Sequence, residues 1–433
     1  MASEWEFFST LFAEPQKNGL TRPKGVRGVG MPMVNMGELF AFPRILPMKM
    51  DRVLVGDKER SFILQDGDLL YARQSLVFEG AGKCSIFLGG HEPTVFESHI
   101  IRCRLNRRKA DPLFYFFFFQ SPLGRDAISS IVEQGAGAAG IRASDLAKIL
   151  VPVPPLPFQL VASSVLNALD ERIETLRRAN SSLEAIARAI FKSWFVDFDP
   201  VRAKAEGREP DGMDAATAAL FPGDFVHQED TIIPAGWTEG TLGDVCEVAR
   251  TGVQKTEMRP DENYVGLEHI PRVSWSLPSW GTAKDLQSGK SRFQQGDILF
   301  GKLRPYFHKV CIAPVDGVCS TDILVLRPKN PEWMAFALCH VSSKQMIDYA
   351  TRLSNGAKMP RSSWHDLNNY KVILPPESLA EAFTSIIEPI VEKIIANVHT
   401  AASLTALRDT LLPRLISGKL RVPEAEAMLM EVV

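Results

Sequence analysis

The sequence lays out one plan twice, about 220 residues apart, and each copy ends in a long heptad-patterned stretch. In the first copy Gly67-Asp68-Leu69-Leu70-Tyr71-Ala72-Arg73 precedes Asp145-Leu146, Pro154-Pro155 and an apolar series through Leu183 and Ile190. In the second, Gly296-Asp297-Ile298-Leu299-Phe300-Gly301-Lys302 precedes Asp366-Leu367, Pro375-Pro376 and a series through Leu404 and Leu411. From the Asp-Leu pair onward the offset is constant at 221, as 366 less 145, 375 less 154 and 404 less 183 all give. One fold is therefore duplicated, with insertions confined to the globular portions. Two globules, each followed by a helix, can make a pseudo-twofold object, a shape that suits a ligand with two half-sites.

A chain of 433 residues with 45% apolar content is expected to form roughly two to four domains with sizeable cores. No apolar run is long enough to span a bilayer, and Met1-Ala2-Ser3-Glu4-Trp5 lacks the basic flank and apolar core of a leader, so a cytoplasmic protein without a membrane partner is expected. The densest run, Phe114 to Phe119, is bounded by Pro112 and Gln120 and reads as a short buried element. Cys84, Cys103, Cys246, Cys311, Cys319 and Cys339 form no C-x-x-C pair and have no histidines at ligand spacing, which favours buried free thiols over structural zinc. The net charge of −2 conceals a regional bias. Residues 1 to 155 carry 19 Lys/Arg against 16 Asp/Glu, residues 235 to 376 carry 17 against 14, and the remainder carries 13 against 21. Each globule is thus weakly basic, and any electrostatic footprint has to be local.

The expected class is α+β: two mixed α/β-type globules in tandem, each followed by a long helix, with the helices pairing as an antiparallel coiled coil. The first globule spans 1–155, a central helix 156–198, a linker 199–234, the second globule 235–376, a C-terminal helix 377–422 and a tail 423–433. Residues 1 to 60 match the second globule poorly, which leaves the start and strand order of the first open. Ile298 to Phe300, Val310 to Ile312 and Ile323 to Leu326 read as strands. Asp111-Pro112 and Asn330-Pro331 each offer a capping side chain followed by proline at the first helical position. Both lack the second proline of an amino-methyltransferase motif. Beyond the proline-rich exits, Leu166, Leu169, Ile173, Leu176, Asn180, Leu183, Ala187, Ile190 and Trp194 recur in steps of three and four. Adding 221 gives Ile387, Ile390, Ile394, Asn397, Ala401, Leu404, Arg408, Leu411 and Leu415. A dyad near the middle of the seam sets Asn180 opposite Asn397, a pair that would fix register; alternatively Asn180-Ser181-Ser182 breaks the first helix. A helix from residue 158 to 196 would be about 58 Å long, enough to space the globules by more than one turn of B-DNA at roughly 34 Å.

No catalytic constellation is present in the sequence. Ser288-Gly289-Lys290-Ser291 resembles the end of a phosphate-binding loop, but Lys284 occupies the place of its first glycine. Gly135-Ala136-Gly137-Ala138-Ala139-Gly140 leads to Asp145-Leu146 and the proline exit without the helix and later acid of a dinucleotide site, and reads as a loop. Pro260-Asp261 with Glu268-His269 lacks the lysine of a Mg²⁺ nuclease, and the eight histidines are scattered.

The central string is distinctive: Pro154-Pro155-Leu156-Pro157, then Leu183-Glu184-Ala185-Ile186-Ala187-Arg188-Ala189-Ile190-Phe191-Lys192-Ser193-Trp194-Phe195-Val196-Asp197-Phe198-Asp199-Pro200-Val201. It closely resembles the central region of the specificity subunit of type I restriction-modification systems. Leu412-Pro413-Arg414-Leu415-Ile416-Ser417-Gly418-Lys419-Leu420 resembles the end of that family's second helical region. The resemblance implies a non-catalytic subunit whose two target recognition domains each read half of a split sequence in double-stranded DNA. It also implies a helical spacer that docks two modification subunits, which bring S-adenosylmethionine and adenine methylation. Restriction subunits would bring ATP- and Mg-dependent translocation and cleavage, so no cofactor is expected in this chain.

For such a role, affinity comes from Lys, Arg and amides on phosphates and specificity from side chains at base edges. The strongest local candidates are Lys302, Arg304, Tyr306 and Lys309 in one basic-aromatic loop, with Arg73 to Lys83 as its less basic counterpart. Lys358 and Arg361 lie on a glycine-led loop that matches Gly137 to Arg142. Lys24, Arg27, Arg250 and Lys255 occupy two further loops of suitable composition. Any one of these taken alone is more readily a solvated surface charge. The competing function is a paired-helix scaffold whose globules bind proteins, which salt-insensitive binding would favour. A third, a stand-alone nuclease or methyltransferase, requires activity from the single chain.

Overall fold

The computed structural model describes residues 4–90, 92–135, 137–228, 231–249, 251–354, 356 and 359–418. These fall into two compact units, 4–171 with 404–418 and 172–403, so the boundary passes through both long helices. Helix α1, Leu156–Phe195, and helix α2, Glu377–Ile416, each run for 40 residues. Helix α1 starts at the expected 156, where Pro155 offers its carbonyl to the amides of Phe158 and Gln159 and Pro157 needs no partner in a first turn, and it ends at Phe195, three residues before 198. Helix α2 stops at Ile416 and not at 422. Gly418 takes φ 68 and donates its amide to the Leu415 carbonyl at 3.0 Å, a left-handed stop that glycine adopts without strain.

In the first unit Leu166 and Leu169 of α1 and Leu404 and Leu411 of α2 are buried. Arg408, a seam position by offset, instead reaches Asp170 of α1 at 2.8 Å, and Arg44 of the globule reaches the same carboxylate at 2.9 Å. In the second unit Ile173, Leu176 and Asn180 of α1 and Ile387, Ile394 and Asn397 of α2 are buried, while Leu183, Ile190 and Ile390 are half-buried against the same core. Asn397 Nδ2 donates to Asn180 Oδ1 at 2.7 Å, and Asn180 Nδ2 donates to the Ile394 carbonyl at 3.3 Å. Helix α1 runs unbroken through Ser181 and Ser182, so the buried asparagine pair is the reading that holds. Phe195 packs on Phe383 at 5.0 Å. Because 180 meets 397 and 195 meets 383, the two segments run antiparallel.

The first globule begins with β1, Glu4–Phe7. Its main sheet contains β2, Leu69–Ala72, flanked by β3, Cys84–Phe87, and β4, Ile100–Cys103, with Lys17–Asn18 and Arg44–Ile45 at the edges. A second sheet joins Met31–Val34, Asp51–Val53 and Val95–Phe96. The six-aromatic run forms a helix, Pro112–Gln120, apolar on every side and wholly buried. Asp111 caps it, its side chain accepting from the Phe114 amide. Tyr115 Oη donates to the Pro152 carbonyl at 2.9 Å, and Phe119 meets Tyr71 and Phe8 at 5.2 and 5.1 Å. Strand β5, Leu150–Val153, pairs antiparallel with β1 and hands the chain to α1.

The second globule repeats this closure, with β6, Thr238–Thr241, paired antiparallel to the final strand of the globule, Lys371–Leu374. The two starts therefore correspond, although the first 60 residues show little of this. Its central sheet places β7, Ile298–Gly301, between β8, Val310–Ile312, and β9, Ile323–Pro328, with Cys246–Val248 outside β9. Asn330 makes no side-chain cap; Pro331–Trp333 form a single tight turn before the α-helix Met334–Val341, because Pro331 opens a 3₁₀ turn there.

The repeated Gly-Asp motif is a structural device in both units. Gly67 and Gly296 take φ of 86 and 89. The next residue's carboxylate accepts an amide three residues back, Gln65 N to Asp68 and Gln294 N to Asp297, each at 2.7 Å. The same carboxylates are gripped bidentately by Arg104 at 2.8 and 2.7 Å and by Arg327 at 2.6 and 2.8 Å. A turn, a strand start and a distant strand are locked by one buried acid.

Candidate nucleic-acid interface

Each central strand, β2 or β7, releases the chain into a loop that is fastened to a second loop. Arg73 is the first residue past β2 and Lys302 the first past β7. The Arg73 carbonyl accepts from the Ile141 amide at 3.0 Å, and the Lys302 carbonyl accepts from the Ser362 amide at 3.0 Å. Their own amides donate to His99 at 2.8 Å and to Asp322 at 2.9 Å. One step on, Gln74 is registered with Gly140, and Leu303 with Arg361. The strand-exit residues correspond at an offset of 229, as 302 less 73 gives, while their second-loop partners keep 221, as 362 less 141 and 361 less 140 give. Two insertions of different length thus leave the clamp itself intact.

The clamp brings together most of the residues singled out by sequence. Arg73 is exposed and Lys302 half-buried, and neither side chain has a hydrogen-bond or ionic partner among the described residues. Arg142 and Arg361, one on each second loop, are exposed and pair with Glu133 at 2.8 Å and Asp322 at 3.0 Å. In the first unit a groove of about 420 Å³ is lined by Asn18, Arg73, Gln74, Gly135, Gly140 and Arg142, among others. The loop-closing lysines behave differently. Lys83 donates to the Phe40 carbonyl at 2.8 Å, and Lys309 donates to the Leu267 carbonyl. Burial, with Arg272 nearby, pulls the Lys309 ammonium below its ordinary pKa. These two ammoniums tie the loops down from within.

The second unit's loop is held in a costly backbone shape. Arg304 and His308, which flank the tight turn Pro305–Phe307, both have φ of 51, and Val273 beside them has φ 58. Only one other non-glycine residue among those described has positive φ, so this loop concentrates the strain. It is braced on two sides. The Val273 amide donates to the His308 carbonyl at 2.9 Å, and His308 Nε2 lies 2.9 Å from the Ser342 carbonyl. The Arg272 guanidinium sits 4.3 Å over the Phe307 ring. Tyr306, at the tip, is left half exposed.

Other candidates lie apart from this arrangement. Lys24 is exposed on a short turn, and Arg27 is consumed by Asn35, Asp51 and the Arg22 carbonyl. Lys255 pairs with Gln287 at 2.7 Å. Arg250 and Lys358 lie outside the described residues. Sequence reasoning passed over Leu76 and Val77, which are 90% and 59% exposed in the first unit's loop. Their signal was the offset of 229, which aligns them with Pro305 and Tyr306.

Among the described residues no three His, Cys, Asp or Glu side chains are grouped to hold a metal. All six cysteines are buried free thiols, and burial pushes Cys84 and Cys246 up to about 12, far from a reactive thiolate. No described helix is long and apolar enough to cross a membrane.

The type I restriction modification DNA specificity domain model matches this chain twice, at residues 17–185 and 234–402. The chain belongs to that family. Both matches run through a clamp and into a long helix, so the duplication read from the offset is a duplication of the specificity domain. Among its relatives, a specificity subunit of type I restriction enzyme MjaIX from Methanocaldococcus jannaschii is 26% identical over 72% of this chain and 69% of its own length. The HindI specificity subunit of Haemophilus influenzae is 24% identical over 82% and 87%. The crystal structure of a type I system S subunit from M. genitalium superimposes with a TM-score of 0.54 at 16% identity, covering 95% of this chain and 96% of that one, which fixes the shared fold. As a member of this family the chain is a DNA target-recognition subunit with two recognition domains, not itself an enzyme.

Proposed function

We propose that each domain reads one half of a bipartite duplex sequence, with its two-loop clamp set against the DNA. The observation that carries this is a cation without a partner among the described residues at the same exit position of both clamps, Arg73 and Lys302, on backbone fixed by matching hydrogen bonds. Such a cation is placed to take a phosphate and set the register of the loop beyond it. The antiparallel helices would dock two modification subunits carrying S-adenosylmethionine, and restriction subunits would supply ATP- and Mg-dependent cleavage. The chain's own residues would contribute binding and placement alone. The family match over both domains supports this division of labour.

The test is binding of the chain, together with its modification subunit, to duplex DNA across a salt series. The expected logarithmic slope is steep, roughly −0.9 per phosphate contact, and a sequence-dependent component survives at high salt. Salt-insensitive binding, or none to any duplex, would favour the protein-binding scaffold.

A further inference from the structure

The two clamps share more than a cation. Three and four residues past Arg73 stand Leu76 and Val77; three and four past Lys302 stand Pro305 and Tyr306. Leu76 is 90% exposed, the most exposed large apolar side chain among the described residues, with Val77 at 59% and Tyr306 at 50%. Val77 and Tyr306 are the matched exposed pair, while Pro305, the counterpart of Leu76, is buried; each tip stands on backbone that costs free energy to hold or is tied at several points, which sets it apart from scattered surface hydrophobes. In the second unit the tip is flanked by the positive φ values of Arg304 and His308 and propped by Val273, Arg272 and the Ser342 carbonyl. In the first, Gln74–Ser75 is a strand paired to Ala139–Gly140, Ser75 Oγ accepts the Val77 amide at 3.1 Å, and the Gly82 amide returns to the Ala72 carbonyl at 2.7 Å. A rigid mount for an exposed apolar group, three or four residues past a cation with no partner among the described residues, has the make-up of an element that meets a base while the cation meets the backbone.

We propose that Leu76 with Val77, and separately Tyr306, are the specificity-determining contacts of the two domains, touching the apolar surface of bases. On this division Arg73 and Lys302 supply affinity without sequence preference. An apolar side chain discriminates by the thymine methyl group or by wedging at a deformable step, and it adds no charge-dependent affinity. The proposal rests on the DNA-reading function above and assigns roles within it. It also explains a paradox of the first domain, whose loop is less basic than its counterpart: the loop needs one cation for register, and reads by shape.

The experiment uses the full chain with its modification subunit and sequences the methylated motif in cells expressing Leu76→Ser, Tyr306→Ser, Tyr306→Phe, Arg73→Ala or the unaltered chain. Purified complexes are then titrated with a duplex carrying the native motif and with an unrelated duplex, across salt. Leu76→Ser is expected to relax or change bases in one half of the motif only, and Tyr306→Ser in the other. The ratio of specific to unrelated binding falls at least about fivefold in each, and the salt slope is unchanged. Tyr306→Phe keeps the ring and is expected to retain most of the preference. Arg73→Ala is expected to weaken both duplexes alike and to make the slope shallower by about one contact. The division of roles is overturned if the serine variants keep the native motif and ratio, or if they lose both duplexes equally. If the unaltered complex prefers no duplex over another, the DNA-reading function itself fails, a result distinct from either.

Discussion

The two recognition units are alike in their frames and unlike in their tips. Both lock a glycine turn with a buried aspartate under a bidentate arginine, both close on an antiparallel terminal strand pair, and both tie the strand-exit residue to a second loop by the same backbone bonds. Yet the first loop presents exposed aliphatic side chains in a bend just past the short strand Gln74–Ser75, and the second an exposed tyrosine on strained backbone, in a loop three residues shorter. Frame residues are set by hydrogen bonds that any sequence variant must keep. Tip residues carry little of the frame: Leu76 is 90% exposed, and Tyr306 meets its neighbour Phe307 at 4.8 Å while half of it stays exposed.

The sharpest way to break the shared-frame half of the comparison is to remove the acid under the arginine. Asp68 is 1% exposed and faces Arg104, with fully buried Arg102 close by, so Asp68→Ala is expected to destabilise the first unit by about 3 to 5 kcal/mol in urea unfolding. Asp297→Ala should cost less, about 1 to 3 kcal/mol, because Arg327 keeps a third of its surface in water. Equal losses would mean that the two locks are not graded by burial.

Next in size is the asparagine pair. Asn180→Ala strands the Asn397 amide in the seam and is expected to cost about 1 to 3 kcal/mol, whereas Asn180→Leu with Asn397→Leu is expected to be neutral or stabilising. A double variant as unstable as the single one would show that the pair supplies net stability and not register alone.

The units also differ in a titratable core group. His340, on the helix Met334–Val341, packs its ring against Phe336 at 4.4 Å and Phe191 at 4.8 Å, and its buried Nε2 has no hydrogen-bond partner among the described residues; the aromatic-rich helix of the first unit has no histidine. Burial lowers its pKa to about 3. The folded state therefore keeps it neutral while the unfolded chain takes a proton below about 6.5, so stability is intact above that pH and is lost as pH falls toward 3, at up to about 1.4 kcal/mol per pH unit. Thermal unfolding between pH 7 and 4 should show this slope in the native chain and a shallower one in His340→Phe. An unchanged slope would place the proton uptake elsewhere.

The smallest expected effect falls on the matched cations. Arg73→Ala and Lys302→Ala should each lower affinity for every duplex by a few-fold and remove about one unit of salt slope, which direct titration reads. A loss confined to one sequence would assign that cation to a base.

Much of this was legible in the sequence because it is periodic or local. The constant offset paired the second loops of the two clamps, and steps of three and four marked both helices and set Asn180 against Asn397. Strand order was not legible, since register between Ile100 and Ala72, or between Tyr264 and Val318, joins residues far apart in sequence and leaves no local pattern. Nor was the direction of a lysine: Lys83 and Lys309 resemble Arg73 and Lys302 in composition, but the strands that return them to the sheet turn their ammoniums onto buried carbonyls. Leu76 and Val77 lie in a loop that composition marks only as less basic than its counterpart; the offset of 229 aligns them with Pro305 and Tyr306, and their exposure singles them out.

Two equivalent clamps in one chain are proposed to read two separate pieces of sequence. Methylome sequencing of cells that express this chain with its modification subunit tests it directly. The expected result is a single motif with two specified halves separated by a gap of fixed length and free sequence. One continuous motif, or methylation without sequence preference, would contradict it.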